Sequence, residues 1–199
     1  EAAEEAAFVR ETCAGLMVPH EVLVWEHGDV PGNLMQAARE ARYGLIAAWA
    51  KRQGVDLVTL AHTADDQAET VLMRLARGSG VDGLAGIPNR MGGVIPFLRP
   101  LLDFGRAELR DHLIAEGIAW ADDPSNDDDA FDRVRARKMG GVLADLGLTQ
   151  ERLLQTAEHM RAAQKVLKAE ALRRAKLDVT TEGGDACLER GGGIGGGFH

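Results

Sequence analysis

The run His62-Thr63-Ala64-Asp65-Asp66-Gln67-Ala68-Glu69-Thr70 carries four ionisable side chains within little more than two helical turns. Spacings of i, i+3, i+4 and i+7 place His62, Asp65, Asp66 and Glu69 on one face of a helix. Carboxylates this close repel one another, which points to a cation, either Mg²⁺ or a substrate ammonium; a solvated acidic face has the same pattern. Thr63 with Asp66 three residues later also fits a capping box, and acids near a helix start are favoured by the macrodipole. The preceding segment, Val55 to Ala61, reads as a short buried strand. A strand running into a helix N-terminus sets these acids at the carboxyl edge of a parallel sheet, where ligands bind. Ala68, Val71, Leu72 and Leu75 supply the core face of that helix.

The elements around this run alternate. Ala2 to Leu16 has helical spacing, Glu21 to Glu26 reads as a strand, and Leu34 to Gln53 as a helix stopped by Gly54. That helix turns Leu34, Ala38, Ala41, Leu45, Ala48 and Trp49 inward. Val94 to Leu98 reads as a further strand. Phe104 to Glu116 is a helix with Leu109, Leu113 and Ile114 as its buried side and Gly117 as its stop. The order strand, helix, strand, helix implies an α/β fold with parallel strands and right-handed crossovers. A domain boundary falls near Arg99. Arg77-Gly78-Ser79-Gly80 serves either as a helix stop or, more weakly, as a turn whose backbone N–H groups meet phosphate. Asp122 to Asn126 is dense in turn formers. The last helix, Thr149 to about Ala175, carries Leu153, Leu154, Ala157, Met160, Ala163 and Leu167 on one side. Beyond Asp178 the glycine-rich end has too little apolar content to order alone.

With 199 residues, 45% of them hydrophobic, the chain can build a full core without staples. Cys13 and Cys187 match no metal or redox spacing, so free thiols in a reducing compartment are expected. No run approaches the roughly 18 apolar residues of a membrane span, and the acidic start lacks a signal-peptide pattern. A soluble cytoplasmic protein is the resulting expectation. The net charge of −8 argues against non-specific nucleic-acid binding, but it is unevenly divided. Residues 1–132 carry 11 basic and 23 acidic side chains (11 − 23 = −12), whereas residues 133–176 carry 11 and 4 (11 − 4 = +7). A basic helical segment after an acidic domain either grips phosphates or is a solvated surface.

Four places together resemble the tRNA(Ile)-lysidine synthase family of the PP-loop ATP pyrophosphatases. These are Gly32-Asn33 with Ala38-Arg39-Glu40-Ala41-Arg42-Tyr43; His62 to Thr70 continuing through Leu72 and Arg74 to Arg77-Gly78-Ser79-Gly80 and Gly83 to Gly86; Arg99-Pro100-Leu101-Leu102; and Trp120 with Asp123-Pro124-Ser125-Asn126, Phe131, Arg133, Arg135 and Arg137. The resemblance implies a parallel-sheet PP-loop ATPase domain (adenine nucleotide alpha hydrolase-like), incomplete at its N-terminus and followed by a smaller α-helical domain. Its bounds are 1–98 for the ATPase part, 99–177 for a helical substrate or tRNA-binding part, and 178–199 for a poorly ordered tail.

The implied reaction modifies the wobble cytidine of an isoleucine tRNA with a CAU anticodon. ATP adenylates the C2 oxygen, and the ε-amine of free lysine then displaces AMP at C2. On this resemblance Asp65, Asp66 and Glu69 are catalytic, with Asp65 and Asp66 as ligands of Mg²⁺. His62, Thr70, Arg77, Gly78, Ser79 and Gly80 face ATP, and Arg39, Arg42, Arg99, Asp123, Asn126, Arg133, Arg135 and Arg137 face tRNA or phosphate. Free lysine is an ammonium near neutrality, with a reference pKa of about 10.4, so a carboxylate must hold it and a base must take its proton. The family's Ser-Gly-Gly-x-Asp-Ser phosphate loop does not occur in the sequence, so a fragment of a longer protein, inactive alone, is expected. Val134 and Gly140-Gly141 also depart from the family pattern. A tRNA thiolase of the same superfamily and a non-catalytic RNA-binding remnant are the alternatives, and a homodimer remains open.

Overall fold

The computed structural model describes residues 2–121, 136, 139–182 and 185–188. Helix α1 (Ala2–Gly15) is followed by a segment without helix or strand and by α2 (Leu34–Gln53). The Asn33 side chain accepts from Gln36 N at the start of α2, and Gly54 closes it, as its sequence position implies. Strand β1 (Val58–Thr59) leads into α3 (Ala64–Ala76) and the single-turn α4 (Val81–Leu84). Strands β2 (Arg90–Met91) and β3 (Phe97–Leu98) precede α5 (Arg106–Ala115). Helices α6 (Gly140–Asp145) and α7 (Gln150–Asp178) follow, then an antiparallel pair, β4 (Val179–Glu182) and β5 (Asp185–Leu188), that the sequence reading did not foresee.

The main sheet has the order β1-β3-β2. Strands β1 and β3 are parallel, with Val58 opposite Phe97 and Thr59 opposite Leu98, and β2 runs antiparallel to β3. The α/β class with parallel pairing is therefore present. Two expectations change. Glu21 to Glu26 is not a strand, because extended backbone becomes one only beside a hydrogen-bonding neighbour and none lies there among the described residues. The runs Val55–Ala61 and Val94–Leu98 narrow to two paired residues each, the length over which their ladders meet.

The core lies between α3 and α7. Ala68 and Val71 pack with Leu153 and Ala157, and Leu72 lies against them, so apolar residues from both sides of position 99 build one cluster. Leu75, Ile114 and Leu167, expected inward, are exposed, as are Leu34 and Ala48, while Ala50 is fully buried. Each helix touches its neighbours over one narrow stripe, so an apolar residue at the stripe's end stays in solvent. No helix among the described residues is long and apolar enough to cross a membrane.

The segment after α3 is clamped by side chains. Arg74 Nη1 donates to Gly83 O (2.8 Å) and Gly86 O (3.0 Å), and Arg161 Nη2 on α7 donates to Ala85 O (3.2 Å). Burial, and then the like charge of Arg39, lowers the pKa of Arg74 from its ordinary value. Buried Gln67 donates from Nε2 to Ile87 O and accepts from Ile87 N. Gly86 has φ +68°, and a Cβ there would lie 2.5 Å from Gln67 Oε1. Gly86→Ala is therefore expected to destabilise the protein by about 2 kcal/mol or more. Chemical denaturation measures this, and an unchanged midpoint would contradict the close approach.

Candidate functional site

The acidic run is built by two helix N-termini that meet. Thr63 is the N-cap of α3, and the expected capping box is present: Thr63 Oγ1 accepts from Asp66 N, and Asp66 Oδ2 accepts from Thr63 N at 2.8 Å. The first donor of α3, Ala64 N, bonds to Phe104 O at 2.9 Å. In return the first donor of α5, Arg106 N, bonds to Asp65 Oδ2 at 2.8 Å. Gly105, the N-cap of α5, has no side chain to cap with, so Asp65 supplies the acceptor from 41 residues away.

Arg106 also reaches the remaining acids. Its Nη2 lies 2.8 Å from Asp66 Oδ1 and its Nη1 3.4 Å from Glu69 Oε1. Glu69 is buried and Asp66 nearly so, and the guanidinium is more exposed than either. Asp65, Asp66 and Glu69 thus converge on one arginine that the sequence reading missed. A signal existed: a cation in the first turn of a helix opposes the macrodipole and needs a carboxylate to hold it.

His62 precedes the cap and is not on the face shared by the three acids, which corrects the expected four-residue patch. It lines a separate cavity of about 270 Å³ with Leu60, Met35, Arg39, Arg42 and Tyr43. The Arg39 guanidinium lies 5.3 Å from the Tyr43 ring centroid. A second cavity, of about 310 Å³, has Asp65 and Glu69 on its wall and Ala68, Leu72, Leu143 and Leu148 among its aliphatic lining.

Other expected site residues take structural places. Arg99 is 1% exposed, with Nη1 donating to Pro88 O (2.8 Å) and Nη2 to the Tyr43 hydroxyl (3.0 Å), so it presents no charge to a phosphate. Thr70 is buried on α3. The N–H groups of Arg77 and Gly78 bond back to carbonyls of α3, as does that of Ser79, with Gly78 at φ +70°. Gly80 is the N-cap of α4. This is the helix-stop alternative, and N–H groups already bonded to α3 cannot cradle phosphate. Asp123, Asn126, Arg133, Arg135 and Arg137 lie outside the described residues.

The acids do not fit Mg²⁺ as arranged. Three of the four carboxylate oxygens of Asp65 and Asp66 accept from Thr63 or Arg106. Among the described residues no group of three His, Cys, Asp or Glu side chains could hold a metal ion. A hard cation needs several free oxygens, which a pair already accepting from Thr63 and Arg106 does not offer.

Comparison with known proteins decides the family. The model of the PP-loop domain matches residues 1–140. The chain belongs to the PP-loop domain family. Among curated PP-loop relatives, a tRNA(Ile)-lysidine synthase of Ruegeria pomeroyi is 49% identical over 190 residues, covering 95% of this chain and 45% of that protein. Those of Methylobacterium nodulans and Zymomonas mobilis are 43% and 36% identical, each over 92% of this chain and over 54% and 56% of their own lengths. The chain therefore spans about half the length of the relatives it matches. A solved PP-loop structure, the U34-tRNA thiolase NcsA from Methanococcus maripaludis with its 4Fe-4S cluster, superposes with a TM-score of 0.65 at 12% identity. It covers 80% of this chain and 57% of that one, and the likeness is one of fold.

Replacement separates the arginines. Arg99→Met should destabilise the domain by roughly 2–3 kcal/mol, since two hydrogen bonds from a buried cation are lost. Arg39→Ala and Arg42→Ala, both at exposed positions, should stay within about 0.5 kcal/mol of the parent in thermal denaturation. Equal losses at all three positions would refute the structural role of Arg99.

Proposed function

We propose that the protein carrying this chain is an ATP-dependent tRNA-modifying ligase that attaches free lysine to C2 of the wobble cytidine of an isoleucine tRNA. The observation that carries this reading is the second cavity, where the acidic residues Asp65 and Glu69 meet an aliphatic wall. A lysine side chain has that polarity, with methylenes ending in an ammonium. Asp66 stands beside Glu69 through the guanidinium that bridges them. The similarity to curated lysidine synthases over nearly the whole chain supports the same reading.

In the proposed sequence the C2 oxygen of cytidine attacks the α-phosphate of ATP and pyrophosphate leaves. The lysine ε-amine then adds at C2, loses its proton to a carboxylate, and AMP departs with the C2 oxygen. Glu69 on the cavity wall, with Asp66 beside it across the Arg106 guanidinium, holds the ammonium and accepts the proton, because a partly buried carboxylate both binds the cation and serves as a base. Asp65 acts chiefly as the cap of α5. Arg39, Arg42 and His62 line the other cavity, where two guanidinium groups suit the anionic nucleotide. Arg133, Arg135 and Arg137 are assigned to RNA phosphates on their charge and spacing. The helical part, residues 99–177, is assigned to positioning the RNA.

The test is incubation of the whole protein with tRNA, ATP and labelled lysine, scoring label on RNA. Asp66→Asn keeps an acceptor for Thr63 N and should reduce transfer at least about 100-fold with the fold retained. Full activity would remove Asp66 from the chemistry. Replacing Arg133 and Arg135 by Ala should weaken tRNA binding and reduce the salt slope by about one per lost phosphate contact. An unchanged slope would return those arginines to a structural role.

A further inference from the structure

Arg106 stands where the proposed substrate's charge would stand. One guanidinium bridges the two carboxylates assigned to the amine, 2.8 Å from Asp66 Oδ1 and 3.4 Å from Glu69 Oε1. It is the most exposed of the three groups, with side-chain exposures of 32% for Arg106, 15% for Asp66 and 6% for Glu69. Its backbone is anchored separately, because Arg106 N donates to Asp65 Oδ2 and opens α5. The side chain can therefore leave the acids without the helix losing its cap.

A second cation cannot take the same oxygens while the first remains, since like charges a few ångströms apart repel strongly in a partly buried site.

We propose that Arg106 is a place-holding cation: it occupies Asp66 and Glu69 while no amine is bound, and the substrate ammonium binds in competition with it. The proposal rests on the reading that the amine docks at these carboxylates. It makes Arg106 a determinant of amine affinity and specificity, because weakly binding inorganic cations and small amines must displace a bridging guanidinium to enter. Substrate lysine has the further aliphatic contacts along Leu72, Leu143 and Leu148 to offset that competition.

The experiment measures lysine binding by calorimetry, with the KM values for lysine and ATP, on the whole protein and on Arg106→Gln, Arg106→Lys and Asp66→Asn. Glutamine keeps the backbone N–H and much of the stem while removing the charge. Arg106→Gln is expected to bind lysine several-fold more tightly, with a lower lysine KM and an unchanged ATP KM. Arg106→Lys should fall between it and the parent, because a compact ammonium bridges two carboxylates poorly. A merely structural arginine would instead raise both KM values when replaced. A folded Arg106→Gln protein that binds lysine no more tightly than the parent overturns the proposal. If that variant does not fold, a lysine KM in Arg106→Lys at or above the parent value overturns it. Lysine binding by the parent that Asp66→Asn abolishes keeps the functional reading intact in either case. No binding by the parent removes that reading and this proposal with it.

Discussion

Everything at the candidate site depends on the exchange between two helix ends. Ala64 N at the start of α3 gives its hydrogen bond to the chain just before α5, and Arg106 N at the start of α5 gives its own to a side chain of α3. Helix N-termini leave several donors unsatisfied, and two of them placed side by side would ordinarily repel through their positive dipole ends. The three acids of α3 remove that conflict. They offset both dipoles at once, and they fix the distance between segments some forty residues apart.

Other parts of the fold support this junction from behind. Arg99 ties Tyr43 on α2 to the Pro88 carbonyl, and it leaves strand β3 only a few residues ahead of α5. Gln67, on the same helix as the acids, pairs with the backbone of Ile87. Helix α3 is thus held along its length: by polar bonds to the loop on one face, by Leu153 and Ala157 of α7 on another, and by α5 at its end. Carboxylates on so constrained a helix keep their spacing without a metal to organise them.

Much of this was legible in the sequence, for identifiable reasons. Asn33, Gly54, Thr63 and Gly78 are helix punctuation with local mechanisms, and each does what its position implies. The parallel pairing followed from the alternation of strands and helices. What could not be read were the long-range partners. Nothing within a few residues of Asp65 says that it caps a helix beginning at Arg106, and nothing around Arg99 says that its charge is buried against Tyr43. Both facts are decided by three-dimensional neighbours, so the motif resemblance set Arg99 among the residues facing phosphate without its buried partners, and the local pattern left out Arg106 at the acids. Glu21 to Glu26 failed for a related reason: its composition suits a strand, but a ladder needs two sides.

The clamp on the loop after α3 has a consequence for the order of synthesis. Arg161 donates to Ala85 O from 76 residues further along the chain and to Ile87 O from 74 residues further. At roughly 5–20 residues per second, the ribosome delivers that arginine on the order of 4–15 s after the loop itself. During that interval Ala85 O lacks its arginine donor, Ile87 O has Gln67 Nε2 alone, and Val71 has no α7 to pack against. The acidic helix therefore leaves the ribosome well before its core partner, and a nascent chain paused before α7 would expose the apolar face of α3 to any chaperone at the exit.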